Sequence, residues 1–164
     1  MPPLNSALGG RETRCAVSEE ERTELLDVDL DIVSDSPLEP LVQAFGDDVD
    51  VLHVGKWGQS YGARLEVGGS GYQDEANELI DRFVSLVEAL PNASRRLWDG
   101  ARFREFNIGI QTAIESSSFE CSIQPGTLEG VLRVHGTIVI TVYAPVRTNR
   151  RSFAVTWKPR KNRG

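Results

Sequence analysis

The sequence predicts an α+β domain: a single twisted, mostly antiparallel or mixed sheet with its helices packed on one face. Three observations carry this. Leu26, Val28, Leu30 and Ile32 alternate with Asp27, Asp29 and Asp31, the period-two pattern of a strand buried on one side. Ala76, Leu79, Ile80, Phe83, Val84, Val87 and Leu90 recur at helical spacing. A short phrase also occurs twice. Leu38-Glu39-Pro40-Leu41-Val42 with Gly46 returns, 90 residues on, as Leu128-Glu129-Gly130-Val131-Leu132 with Gly136, and β-like runs flank each copy.

The elements follow in order. Residues 1–23 mix Pro, Gly, Ser, Arg and Glu without periodicity and read as a disordered leader; a single α+β domain spans 24–146 and a basic tail 147–164. After the first strand, Ser36-Pro37-Leu38-Glu39 forms a capping box with Ser36 at the N-cap. Leu38, Leu41, Val42 and Phe45 then make one helical stripe, and Gly46 supplies a left-handed stop. Residues 49–56 and 61–67 are strands joined by Gly58-Gln59-Ser60, and residues 68–71 are a glycine-rich break. Pro91 ends the long helix, and residues 94–100 add a helical turn carrying Trp98.

Phe106, Ile108, Ile110, Thr112 and Ile114 alternate as a fourth strand, and Phe119, Cys121 and Ile123 as a fifth. In the second copy of the phrase, Leu128, Val131, Leu132 and His135 take the places of Leu38, Leu41, Val42 and Phe45, before a last strand through Ile138, Ile140 and Val142. The order βαβ, β, α, ββαβ opens with the ferredoxin-like sequence βαββαβ and is extended by a second βαβ-type unit, an internal pseudo-repeat.

Composition bounds the function classes. A chain of 164 residues, 40% apolar and 26% charged, suits one globular domain without need of disulfide or metal. No run of 18 apolar residues occurs, which excludes a membrane-spanning helix. The first 22 residues lack an apolar leader core, and Cys15 and Cys121 fit neither a CxxC nor a zinc pattern, so a reduced cytoplasmic setting is expected. The net charge of −6 is uneven. Residues 146–164 hold seven bases and no acid; removing those from 18 leaves 11 bases against 24 acids, a net −13 in the rest. Such asymmetry bears on partners rather than on fold.

Val54-Gly55-Lys56-Trp57, Phe106-Asn107-Ile108-Gly109-Ile110-Gln111 and Thr141-Val142-Tyr143-Ala144-Pro145, with the long helix between them, resemble the bacterial domain-of-unknown-function family numbered 4279. The resemblance covers about residues 25–145 and leaves out both tails. It implies one compact α+β domain. It transfers no activity, ligand, cofactor or catalytic residue.

Candidate chemistry is sparse. His53 lies in a β-run and His135 in a helical stripe; neither has a second His or Cys at ligand spacing, and a structural role is the better reading of each. Cys121 shares a face with Phe119 and Ile123 and is expected to pack as a small hydrophobe. Asp27, Asp29 and Asp31 form an acidic row, with Asp35, Asp47, Asp48 and Asp50 nearby. Same-face strand neighbours stand ~7 Å apart, too far to chelate one ion without a second element. A solvated outer face is therefore the expectation, and a docking face for a basic protein the functional version of it.

The glycine-rich break lacks the ending of a phosphate loop, and Asp74 and Glu75 follow it. The tail's Phe153, Val155 and Trp157 alternate and would allow a marginal strand; the domain's acidity opposes nucleic acid as its partner. The expectation is a cytoplasmic, non-catalytic module without cofactor or metal. It binds another protein through Asp27, Asp29 and Asp31 or a sheet edge, an immunity-type (toxin-neutralising) role being one version. The alternative is a small-molecule-sensing domain with a pocket around Trp57, Tyr61 and His53. An enzyme built on His53 and a nearby Asp is the weakest of the three.

Overall fold

Period-two apolar patterning at five places builds one five-stranded sheet in the computed structural model, which describes residues 22–67, 76–114 and 118–145. Residues 1–21 of the expected leader, the break at 68–71 and the tail from 146 lie outside the described residues. The strands are β1 (Glu24–Ser34), β2 (Asp50–Trp57), β3 (Ser60–Glu66), β4 (Phe103–Gln111) and β5 (Thr137–Tyr143). The helices are α1 (Glu39–Phe45), α2 (Ala76–Glu88), α3 (Asn92–Asp99) and α4 (Pro125–Arg133), with a 3-10 turn at Gly46–Asp48.

The sheet order is β2-β3-β1-β4-β5. β1 runs antiparallel to both β3 and β4, β2 and β3 form an antiparallel hairpin, and β4 and β5 are parallel. A parallel pair needs a crossover, and α4 provides it. The even positions of β1, Val28, Leu30 and Ile32, face the helices together with Ala63 and Leu65 of β3 and Phe106, Ile108 and Ile110 of β4. Leu41 and Phe45 of α1, Ile80, Phe83 and Val87 of α2, Trp98 of α3 and Val131 of α4 close the same core. No helix among the described residues is long and apolar enough to cross a membrane.

One polar staple ties the helix layer together. Trp98 is fully buried, and its indole N–H donates to the Val134 carbonyl at 2.9 Å. Arg104, on the helix side of β4, donates to the carbonyls of Trp98 (2.8 Å), Ala101 (3.0 Å), Asp99 (3.2 Å) and His135 (3.0 Å). A single guanidinium thus gathers carbonyls from the C-terminal ends of α3 and α4, where the helix dipoles favour a cation.

Four expectations are corrected. No strand forms at Phe119–Ile123: residues 118–124 carry no ladder, Phe119 is 37% exposed and Cys121 is exposed rather than packed. Alternation alone cannot make a strand; both edges of β4 are already taken, by β1 and β5. The capping box does not form. α1 begins at Glu39 without a side-chain cap, and the Ser36 N–H donates to Ser34 Oγ instead (3.0 Å).

The second copy of the phrase buries a different stripe, Thr127, Gly130, Val131 and Val134, while Leu128 and Leu132 face out. Thr127 and Gly130 allow α4 to approach α2 closely, for a Cβ on Gly130 would stand 3.2 Å from Val84. After α4, His135 takes the positive φ (57°). Gly136 is held by space: a Cβ there would sit 2.4 Å from the Phe106 ring. The two units also differ in frame, since β3 intervenes between β1 and β2 whereas β4 and β5 are adjacent.

Candidate functional site

The odd positions of β1 point away from the helices, as the alternation predicts, but they do not form a solvated face. β1 is the central strand, so long side chains from both neighbours close over its aspartates. Asp29 and Asp31 are each only 8% exposed. Asp31 stands opposite Arg64 of β3, which donates to it through Nε and Nη2, both at 2.7 Å. Such a two-pronged, charge-assisted pair is the strong form of this interaction.

Asp29 is less well served. Its Oδ2 lies 3.5 Å from Arg64 Nε, and its Oδ1 is buried with no hydrogen-bond partner. The ladder places Glu66 of β3 one step beyond the Leu30–Leu65 pair, beside Asp29. A bulge between Leu25 and Asp27 sets Asp27 opposite Gly109 of β4. Gly109 leaves the room that Asp27 occupies, since a Cβ there would stand 2.6 Å from Asp27 Oδ1 and 3.6 Å from the Tyr143 ring. Carboxylate oxygens of Asp27, Asp29 and Glu66 consequently lie within 4.8 Å of one another.

Three carboxylates this close cannot all ionise cheaply. Burial, and then the charge of Asp27, push Asp29 up to about 7, against the partial relief of Arg64. Burial also raises Asp27, and Arg64 opposes it. Glu66 is raised by burial and by Asp27, while a hydrogen bond from Asp29 favours its charged form. Asp29 is therefore the member that keeps a proton near neutral pH. Ionised, its Oδ1 faces no donor. Burial and the same aspartates raise Tyr143, whereas the bond to Asp31 raises Arg64.

His53 and Trp57 of β2 meet at 5.5 Å between ring centroids, His53 is exposed, and the Trp57 ring lies over Gly62. Tyr61 has the opposite parity to Gly62 and packs against the helix-side core, so the three rings do not converge. Asp35 pairs with Arg102 at 3.2 Å, and Asp47, Asp48 and Asp50 are exposed. An open depression of about 400 Å³, lined by Asp48, Asp81, Arg82, Ser85 and Leu86, lies on the helical layer, away from the carboxylates. The sequence reading does not place Glu66, Arg64 or Gly109 in a site. The polar parity of Gly62, Arg64 and Glu66 against Tyr61, Ala63, Leu65 and Val67 was visible there, but which strand β3 would adjoin was not.

The chain matches no protein-family model, no curated protein and no solved structure.

Proposed function

We propose that this chain is a non-catalytic protein-binding module, a bacterial cytoplasmic domain of the family-4279 kind, that docks its partner on the outer side of α4 and β5. The observation that carries this is an uncovered apolar strip. Leu132 is 70% exposed, Ile140 and Val142 are each 60% exposed, and Leu128 is 42% exposed. Isolated exposed apolar residues need no explanation, but four on two consecutive elements mark an interaction surface. Ile140 and Val142 share the helix-side parity of Ile138, which packs against the core, so α4 covers only the start of β5. Among the described residues β5 pairs only with β4, and its outer edge offers backbone groups to a partner strand.

The burial of Asp29 and Asp31 supports this strip over the acidic row as the docking surface. Binding and inhibition of a toxin by a small acidic domain is one concrete form of the activity. The same reading takes β1 to β4 as a ferredoxin-like arrangement with β5 as an added pseudo-repeat strand; the antiparallel run β2-β3-β1-β4 supports it.

The test uses the full chain as bait in its native cell extract, beside Leu132→Glu and Ile140→Lys variants. The captured partner is then purified and titrated against all three. Binding by the wild type and loss of at least tenfold in each variant is expected, as for central interface positions. Equal binding by the three proteins refutes the strip.

A further inference from the structure

We propose that the carboxylate oxygens of Asp27, Asp29 and Glu66 form a binding site for a hard divalent cation of calcium size. The inference is separate from the docking surface, which lies on the other side of the sheet, and it concerns the chain alone.

Two independent observations converge on it. The first is the convergence itself: three oxygens within 4.8 Å of one another, contributed by two adjacent strands whose register holds them. Here β3 supplies the second element that a single strand lacks. The second is the buried, unpartnered Oδ1 of Asp29, in a residue 8% exposed. A buried ionised oxygen without a donor is costly, and something positive at that point, a proton or a metal ion, removes the cost.

Arg64 does not fill the place. Both of its contacts to Asp31 are at 2.7 Å, so its fork is engaged one residue pair away, and its contact to Asp29, at Oδ2, is longer, 3.5 Å. The charged and titratable groups around the cluster are Asp31 and Arg64, with Asp50 beyond Glu66 and Tyr143 beside Asp27. Three carboxylates thus share part of one guanidinium charge.

The donor set selects the ion. All-oxygen, carboxylate-rich sites suit Ca²⁺, Mg²⁺ or Mn²⁺ rather than Zn²⁺ or Cu²⁺. Oxygens gathered within 4.8 Å of one another suit Ca²⁺, which takes carboxylates in flexible geometry at about 2.4 Å, better than Mg²⁺, which demands near-ideal octahedral bonds of about 2.1 Å. Asp27 and Glu66 are half-buried, which leaves an entry path and room for water to complete the shell.

Thermal unfolding of the full chain in CaCl₂, MgCl₂ and EDTA tests this, with terbium emission sensitised through the neighbouring Tyr143 as the local readout. A saturable rise in Tm with Ca²⁺ is expected, with Kd in the range of about 10⁻⁵–10⁻³ M. Mg²⁺ should need roughly tenfold more, and Ca²⁺ should chase the terbium signal. Asp27→Asn and Glu66→Gln, at partly exposed positions that leave the fold intact, should each weaken binding at least about tenfold, while Asp47→Asn should not. Tyr143→Phe should lose terbium emission and keep the Ca²⁺ effect. No saturable shift up to about 10 mM Ca²⁺ overturns the site, as does equal binding by Glu66→Gln or an equal loss in Asp47→Asn.

Discussion

Replacing Asp29 by Asn should stabilise this protein at alkaline pH and leave it nearly unchanged in acid. The folded chain holds the Asp29 proton up to about pH 7, against 3.8 for an ordinary aspartate. Below about pH 4 both folded and unfolded forms carry that proton and the group contributes nothing. Between about 4 and 7 the folded form binds the extra proton, so stability falls as pH rises. Above about 7 the full cost of ionising Asp29 is felt. About three pH units correspond to ~4 kcal/mol. Asp29 shares a face with partly solvated groups, and screening reduces this to roughly 2 kcal/mol.

Asparagine keeps the shape and removes the charge, at the loss of a 3.5 Å contact to Arg64. Urea unfolding in EDTA, at pH 4 and pH 8, measures the effect. At pH 8 the variant should gain about 2 kcal/mol, roughly 4–8 °C in Tm, and at pH 4 the difference should be under ~0.5 kcal/mol. A variant equally destabilised at both pH values would refute the reasoning, for Asp29 would then be a satisfied structural carboxylate.

Other substitutions probe the frame. Arg104→Ala removes a donor from carbonyls at the ends of α3 and α4, of which Trp98 keeps the Ala101 N–H, and should cost about 2–3 kcal/mol in urea unfolding. Asp31→Asn breaks the two-pronged bond and frees Arg64 to approach Asp29; it should cost about 1–2 kcal/mol and shift the Asp29 titration down, as NMR would read. Leu132→Glu, at a position 70% exposed, should change unfolding stability by less than about 0.5 kcal/mol, which separates its binding defect from misfolding.

Much of the fold was legible because two periodicities do most of the writing. The parity of β1 correctly separates Leu30 and Ile32 from Asp29 and Asp31, and the stripe from Ala76 to Val87 marks the buried face of α2. What parity cannot supply is neighbourhood. The acidic row looked solvated because nothing local says that β1 lies between β3 and β4, where Arg64, Glu66 and Tyr143 close over it. The same gap explains the strand expected at Phe119–Ile123, which has the alternation but no free edge on β4 to pair with.

Helix α4 illustrates a different limit. Two stripes overlap within Thr127–Val134, and hydrophobicity favours the one with Leu128 and Leu132. Packing selects the other, because small residues at Thr127 and Gly130 permit the close approach to α2. The carboxylate site was half legible for the same reason. Two of its three members, Asp27 and Asp29, stood in the sequence as a row, while Glu66 joins only once the hairpin of β2 and β3 folds against β1.

Three acidic groups, Asp27, Asp29 and Glu66, are crowded into one place beneath their neighbours. Carbon-detected NMR titration of the side-chain carboxyls, in EDTA, reads this directly. An Asp29 midpoint about three units above that of an ordinary aspartate, near pH 7, is the predicted result. Titration of Asp27, Asp29 and Glu66 together near pH 4, each as an independent solvated carboxylate, would contradict it.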